Sequence, residues 1–145
     1  MSDEPSLRDV VDTDVPIFYE QQADPDAAAM AAFPPRSEAD YFAHLKKIRT
    51  DPTVFMQTVV VGGAVAGNLV SWATDSGQEI GYWIGKPYWG KGIASSVLPR
   101  FVALVEQRPL HAYVAEHNAA SIRVLEKSGF VPGGRTEQHL IYKFG

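Results

Sequence analysis

Apolar and β-branched residues are concentrated in two neighbouring segments near the middle of the chain, residues 54–61 and residues 65–72. Gly62 and Gly63 separate them, and a two-glycine connection is typical of a tight β-hairpin because its turn requires positive φ at both positions. After a further turn at residues 75–77, a third strand-like segment covers residues 78–85. The pattern therefore predicts three consecutive strands joined by short turns.

Successive side chains of a strand point to opposite faces of its sheet, and this assigns the residues of the third strand to two sets. One set is Ile80, Tyr82 and Ile84, and the other is Glu79, Gly81 and Trp83. Glu79 therefore has mostly apolar neighbours along its strand.

Helix-like segments alternate with further short strands. Apolar residues follow helical spacing in residues 41–48 and again in residues 93–105. Strands are predicted over residues 7–11, 110–115 and 137–144. Since there is no repeat, low-complexity tract or linker, the pattern predicts one α/β domain spanning residues 1–145.

Side chains that favour helix N-caps precede the predicted helices. They are Asp12 or Thr13, Asp24, Ser37 and Asn118. The helix after Asp24 is expected to run to Phe33 and to stop at the two following prolines. The helix after Asn118 is expected to end at Gly129 in the left-handed conformation, which lets Phe130 fold back onto Leu125.

Composition narrows the classes of protein. The chain has 145 residues, 46% of them hydrophobic, and no apolar run approaches the ~18 residues of a membrane span. The N-terminus lacks the basic and apolar regions of a signal peptide. Without cysteine there is no disulfide or thiol nucleophile, and the four histidines lack metal-ligand spacing. We expect a cytoplasmic protein with neither a metal nor a membrane partner.

The distribution of charge is uneven. The formal net charge of −4 argues against a nucleic-acid partner. Acidic residues outnumber Lys and Arg in residues 1–56, whereas Lys and Arg outnumber acidic residues in residues 86–127. The basic part contains the segment with the clearest chemical signal.

That segment, residues 87–94, reads Pro-Tyr-Trp-Gly-Lys-Gly-Ile-Ala and connects the third strand to a helix. Small residues leave backbone N–H groups uncovered, and the N-terminus of a helix attracts anions. Lys91 adds a cation. The pattern is typical of a phosphate-binding turn, but a strand-to-helix turn can also need glycine for its geometry alone.

A second segment, Asn-Ala-Ala-Ser-Ile-Arg-Val-Leu-Glu-Lys-Ser-Gly-Phe at residues 118–130, favours the phosphate-binding interpretation. Together the two segments resemble the pyrophosphate loop and the second acetyl-CoA helix of the GNAT superfamily of N-acetyltransferases. The residues of the two motifs are most similar to those of the branch that acetylates N-terminal alanines of ribosomal proteins. Trp89 replaces the Gln or Arg that usually opens the loop, and Leu125 replaces a Tyr that often protonates the CoA thiolate.

The resemblance implies a fold, a cosubstrate and a site. The fold would be a mixed, largely antiparallel sheet flanked by helices. The cosubstrate would be acetyl-CoA, with a primary amine as acceptor, in a monomer or a homodimer. The residues implied for acetyl-CoA are Trp83, Ile84, Trp89, Gly90, Lys91, Gly92, Ile93, Ala94, Ser95, Asn118, Ser121 and Lys127.

Two residues are candidates for chemistry. Glu79 would take a proton from the amine, because burial among apolar neighbours raises the pKa of a carboxyl group into the useful range. It also occupies the position where the family often has its catalytic Glu. Ser121 is the nearest hydroxyl that could assist the departing thiolate. The alternatives are a strand-edge carboxylate facing water and a solvated helix serine.

Two rival functions also fit these sequence features. One is a non-catalytic acyl-CoA binder or regulatory module on the same fold. The other is a nucleotide-phosphate protein that uses the glycine loop, although the Gly-Lys-Ser/Thr ending of a P-loop is missing. The sequence does not name the amine acceptor.

Overall fold

The structure is a computed structural model that describes residues 4–32, 35–75 and 77–145. In these parts of the chain, seven strands form one sheet in the order β1-β2-β3-β4-β5-β7-β6. The strands are β1 (Ser6–Asp9), β2 (Phe55–Val61), β3 (Ala64–Thr74), β4 (Gly77–Ile84), β5 (Leu110–Ala115), β6 (Val131–Arg135) and β7 (His139–Phe144). The helices are α1 (Asp14–Ala23), α2 (Pro25–Ala31), α3 (Glu38–Arg49), α4 (Ile93–Leu104) and α5 (Ala119–Lys127).

Among the described strands, β4 and β5 run parallel, and every other neighbouring pair is antiparallel. The helices cover both faces of the sheet. On one face α4 and α5 pack over the main core, whose buried members include Leu69, Ile80, Phe101 and Leu125. On the other face α1 and α3 enclose a smaller core around Phe18. This confirms the mixed, largely antiparallel sheet flanked by helices.

The local signals placed several elements correctly. Gly62 and Gly63 form the hairpin turn with φ of 58° and 81°. The Asn118 side chain caps α5 by accepting the backbone N–H of Ser121. After α5, Gly129 has a φ of 95°, and the Phe130 N–H donates to the Leu125 carbonyl at 3.0 Å. Part of the turn between β3 and β4, Ser76, lies outside the described residues.

The expected cap of α1 is wrong. Thr13 occupies the N-cap position, but its side chain makes no capping hydrogen bond. Instead Asp14, the first residue of the helix, accepts the backbone N–H of Val11 at 3.0 Å. Asp14 is held in this position by tertiary contacts, because residues of β1 and β2 donate hydrogen bonds to its carboxylate.

Strand β6 was not predicted, since Val131–Arg135 contains Pro132, Gly133 and Gly134, which are poor strand formers. It forms at the edge of the sheet, where a proline is tolerated, and the register shifts between Pro132 and Gly134.

Helix α2 ends at Ala31, which is followed by Ala32 with a φ of 58°. The expected end at Phe33 and Pro34 lies outside the described residues.

Asp14 joins three elements at the start of the fold, although it is only 1% exposed. Both of its oxygens accept hydrogen bonds from the Arg8 guanidinium, at 2.7 and 2.9 Å, and Thr58 donates to it at 2.7 Å. Burial raises the pKa of this carboxyl, but the hydrogen bonds from Arg8, Val11 and Thr58 outweigh burial and lower the pKa to about 2. The ionised form of Asp14 therefore stabilises the folded state.

We expect Asp14→Asn to lower the free energy of unfolding by about 2 kcal/mol at pH 7, the equivalent of the lowered pKa. The folded pKa lies below the unfolded value near 4, so this stabilisation is complete above about pH 5. It is lost as the pH falls towards 2. Urea unfolding of both proteins at pH 7 and pH 3 should show the gap narrowing in acid.

Asp12→Asn is the matched control, because Asp12 is 95% exposed in its ion pair with Arg49. Exposed pairs of this kind contribute between 0 and about 1 kcal/mol. A gap between Asp14→Asn and the unmodified protein that did not change with pH would contradict the assignment.

Candidate functional site

Strands β4 and β5 pair over two residues and then separate. The paired positions are Gln78 with Leu110 and Glu79 with His111. Beyond them, β4 continues to Ile84 beside β3, while β5 continues to Ala115 beside β7. The separation leaves the facing edges of both strands without strand partners in the described structure, and buried backbone polar groups need partners.

Helix α4 begins at the mouth of this opening without a side-chain cap. Its N-cap is Gly92 in the left-handed conformation, and Ser96 N–H donates to the Gly92 carbonyl. The backbone N–H groups before Ser96 therefore have no helical acceptor. A β-carbon added at Gly90 or Gly92 would meet nothing within 4 Å, so the approach to these N–H groups is open. An uncapped helix N-terminus with free space in front of it suits an anion.

Helix α5 forms the opposite wall of the opening. Asn118 caps its N-terminus with Oδ1 3.1 Å from the Ser121 nitrogen. One turn further on, Arg123 and Lys127 are exposed and lie on the same side of the helix. Both cations border the same space as the uncapped end of α4.

The walls enclose a cleft of about 340 Å³, which is the size of a small-molecule site. Helix α2 closes its remaining side with Ala27, Met30 and Ala31. Residues from β4, the following turn, α4 and α5 complete the lining. No group of three His, Asp or Glu among the described residues is arranged to hold a metal ion.

Helix α2 is held over the cleft from both ends. Near its start, the carboxylate of Asp26 forms an ion pair with Lys86, in the turn after β4. At its end, the Nε2 atoms of His117 and His139 each lie 3.0 Å from a carbonyl oxygen, of Ala29 and Ala31 respectively. His117 is thus a tether for α2.

The cleft brings together eleven of the residues expected to bind acetyl-CoA. They are Trp83, Ile84, Trp89, Gly90, Gly92, Ile93, Ala94, Ser95, Asn118, Ser121 and Lys127. Lys91 is not part of the lining, and its Nζ lies 6.0 Å from the centre of the Tyr88 ring. Glu79 is also outside the lining, at the point where β4 and β5 separate.

The two residues at the end of β4 differ in what their backbone offers. The Trp83 carbonyl oxygen faces β3, where a β-carbon on Gly67 would lie 2.1 Å from it. Backbone groups of alternate residues point to opposite edges of a strand, so those of Tyr82 and Ile84 face the opening. The Ile84 carbonyl accepts the indole N–H of Trp89 at 2.7 Å, which fixes the turn against the strand.

Glu79 is half-buried, and burial raises the pKa of its carboxyl, while the charge of neighbouring His111 offsets part of that rise. In the sheet it lies beside Trp72 of β3 and His111 of β5. Its face of β4 is the one that carries Trp83, whose indole N–H donates to the Gln21 carbonyl of α1 at 3.2 Å. Glu79 therefore belongs to the α1 side of the sheet.

Two polar groups of the cleft were not among the sequence candidates. The Tyr82 hydroxyl lies 2.8 Å from Ser121 Oγ and lines the cleft on the α5 side. Alternation along β4 had placed Tyr82 in one set with Ile80 and Ile84, and no role had been assigned to its hydroxyl group. Arg123 was also missed as a lining residue, although its spacing of four residues from Lys127 would have indicated it.

The chain belongs to the GNAT acetyltransferase family. The family model described as "Acetyltransferase (GNAT) domain" matches residues 6–131, most of the chain. The family resemblance of the two motifs is thereby confirmed. No curated protein matches the sequence at a significant level.

Solved structures with low sequence identity share the fold. An acetyltransferase from Agrobacterium tumefaciens aligns with a TM-score of 0.82 at 16% identity, covering 100% of this chain and 92% of its own. One from Thermus thermophilus aligns with a TM-score of 0.81 at 20% identity and 99% coverage of both chains. Spermidine N-acetyltransferase from Vibrio cholerae, in complex with CoA and spermine, aligns with a TM-score of 0.80 at 16% identity, covering 97% of this chain and 93% of its own.

We expect Gly67→Ala to lower the free energy of unfolding by about 1–3 kcal/mol, the usual range for overpacking. The added methyl group would collide with the Trp83 carbonyl and the Ile84 backbone, neither of which is a flexible side-chain end. Thermal or urea unfolding measures the loss.

Gly81→Ala is the matched control within the same pair of strands. A β-carbon at Gly81 meets only Trp72, at 3.6 Å, which is ordinary contact. Equal stabilities of the two variants would contradict the close approach of β3 and β4 at Gly67.

Proposed function

We propose that the protein is an N-acetyltransferase that moves an acetyl group from acetyl-CoA to a primary amine by direct attack. The observation that carries the proposal is the uncapped N-terminus of α4, which faces the cleft where β4 and β5 separate. An anion site beside an unpaired strand edge matches the two chemical parts of CoA, a pyrophosphate and an amide-containing arm.

In this proposal the pyrophosphate binds the backbone N–H groups of Gly92 to Ser95, with Gly90 leaving room for it. The amides of the pantetheine arm bind the open edge of β4 at Tyr82 and Ile84. Trp83 and Trp89 contribute through their indole rings, since the Trp83 backbone faces β3. Lys127, together with Arg123, attracts the remaining phosphate, and Lys91 contributes charge from outside the cleft.

Glu79 is the proposed general base, acting directly or through one water. The amine nitrogen forms a bond to the acetyl carbon, the C–S bond breaks, and its electron pair stays on sulfur. The amine proton passes to the Glu79 carboxylate. Ser121 donates a hydrogen bond to the departing sulfur, which finally takes a proton from solvent. The chain has no cysteine and so cannot form an acyl-cysteine intermediate, which agrees with direct transfer.

The acceptor is proposed to be a protein N-terminus, as in the ribosomal-protein branch of the family, or a small-molecule amine in the cytoplasm. Structures with this fold include a spermidine N-acetyltransferase and an aminoglycoside acetyltransferase. Spermidine and aminoglycosides both carry primary amines. The acidic excess of residues 1–56 supports the attraction of a cationic acceptor only weakly, because two of its carboxylates already have partners. Asp24 caps α2, and Asp26 is paired with Lys86.

A second candidate function is an acyl-CoA-binding module without catalysis. The position of Glu79 outside the cleft lining favours it, as does the apolar Leu125 where the family often has a tyrosine. Such a protein would bind CoA but transfer no acetyl group to peptides with varied N-termini, to polyamines or to aminoglycosides.

We expect calorimetry to show much tighter binding of CoA than of ADP, because ADP lacks the pantetheine arm. Gly92→Ala should weaken CoA binding at least about tenfold, since a methyl group would occupy the approach to the α4 N-terminus. Equal affinity for CoA and ADP would instead support a nucleotide-phosphate protein.

Gly63→Ala controls for backbone strain. Gly63 and Gly92 have φ of +81° and +73°, and a β-carbon on either meets nothing within 4 Å. The two substitutions should therefore cost similar stability, of about 1 kcal/mol. A similar loss of CoA affinity in both variants would place the anion site elsewhere.

Glu79→Gln should lower kcat about 10²–10⁴-fold and leave CoA affinity nearly unchanged, as expected for loss of a positioned base. Only the ionised carboxylate accepts a proton, so activity should fall as the pH drops through the raised pKa of Glu79. The variant should lose this acid limb of the pH–rate profile.

Glu106→Gln removes the charge of an exposed carboxylate in the loop after α4 and should change neither quantity. A Glu79→Gln enzyme with normal kcat and an unchanged pH profile would exclude the base role. An α-amine acceptor is partly neutral near pH 8, and turnover would then depend on substrate positioning.

A further inference from the structure

Two hydroxyl groups meet on the α5 side of the cleft. The oxygens of Tyr82 and Ser121 are 2.8 Å apart, although the residues are 39 positions apart in the sequence. Tyr82 belongs to β4 and Ser121 to the first turn of α5, and both line the cleft. The contact is therefore formed only when the chain folds, and neither sequence motif indicates it.

The chemistry of the two groups sets the direction of the hydrogen bond. A phenol is more acidic than an aliphatic alcohol, so it is the stronger donor and the alcohol is the stronger acceptor. Burial raises the pKa of Tyr82. The phenol thus keeps its proton at neutral pH and donates a hydrogen bond to Ser121 Oγ.

The remaining groups of Ser121 are also accounted for. Its backbone N–H donates to Asn118 Oδ1 at 3.1 Å, so the amide is occupied by the helix cap. In the described parts of the chain, its hydroxyl forms no hydrogen bond apart from the one with Tyr82. With Tyr82 occupying the oxygen, the hydrogen of Ser121 is left for an acceptor inside the cleft.

We propose that Tyr82 is a positioning residue that holds the Ser121 hydroxyl so that its hydrogen faces the sulfur of the bound thioester. The inference rests on the proposed function, because it requires CoA in the cleft. Ser121 stabilises the thiolate by a hydrogen bond, and neither residue forms a covalent bond to the substrate. Leu125, which is buried in the core, has no polar group for this task.

The thiol of CoA itself provides the test, without knowledge of the acceptor. The chain contains no cysteine, so CoA carries the only thiol in the complex. Its pKa can be measured from the ultraviolet absorbance of the thiolate as the pH is raised, after subtraction of the protein alone. The proteins compared are the unmodified chain, Tyr82→Phe, Ser121→Ala and the double variant.

We expect the thiol pKa in the unmodified complex to be lower than in the Ser121→Ala complex by about 1–2 pH units, the effect of one hydrogen bond to a charged group. Tyr82→Phe should abolish most of this difference. In the double variant, the thiol pKa should equal that of Ser121→Ala, since Tyr82 acts only through Ser121.

Tyr142→Phe is the matched control. The Tyr142 hydroxyl also ties the sheet to α5, through Glu126 at 3.2 Å, but Tyr142 does not line the cleft. It should cost similar stability in thermal unfolding and leave the thiol pKa unchanged. The phenylalanine ring keeps the packing of each tyrosine, so both variants should fold.

The outcomes separate this inference from the proposed function. If CoA does not bind any of the proteins in calorimetry, the proposed function fails and the inference fails with it. If CoA binds but Tyr82→Phe leaves the thiol pKa at its value in the unmodified complex, the positioning role alone is overturned. Additive effects of Tyr82→Phe and Ser121→Ala would also overturn it, because Tyr82 would then act independently of Ser121.

Discussion

The cleft depends on how briefly β4 and β5 pair. After Gln78 and Glu79 the two strands separate, and each continues only beside its antiparallel neighbour. A sheet that opens in this way leaves backbone donors and acceptors along two edges, and burial of such groups without partners costs free energy. The surrounding elements either supply partners, as Trp89 does for the Ile84 carbonyl, or leave an edge for a ligand.

Residues from distant parts of the chain meet at this opening. Helix α2 crosses the opening, and distant residues hold it there: Lys86 near its start, and His117 and His139 at its last carbonyls. A short helix of this kind has little stability alone. Its position over the cleft is therefore a property of the folded chain as a whole.

Local signals allowed much of this arrangement to be predicted. The glycine pair at Gly62 needs positive φ, and Asn118 has the side chain that a helix cap requires, so each works within a few residues. Strand β6 was missed because it forms through pairing with β7 at an edge, against the preferences of its residues. The anchoring of Asp14 and the meeting of Tyr82 with Ser121 join distant residues, and a single sequence contains no signal for them.

Strand alternation also separates the two halves of the proposed chemistry. Glu79 lies on the face of β4 that is covered by α1, whereas Tyr82 lies on the face covered by α5. An amine near Glu79 and a sulfur near Ser121 are therefore on opposite sides of one strand. In the proposed reaction the acyl carbon joins these two atoms, so it must lie at the strand edge, where the sheet is open and both faces can be reached. In the proposed reaction, an unbroken sheet would keep Glu79 and the departing sulfur apart, and the separation of β4 from β5 would let the amine and the sulfur meet at one acyl carbon.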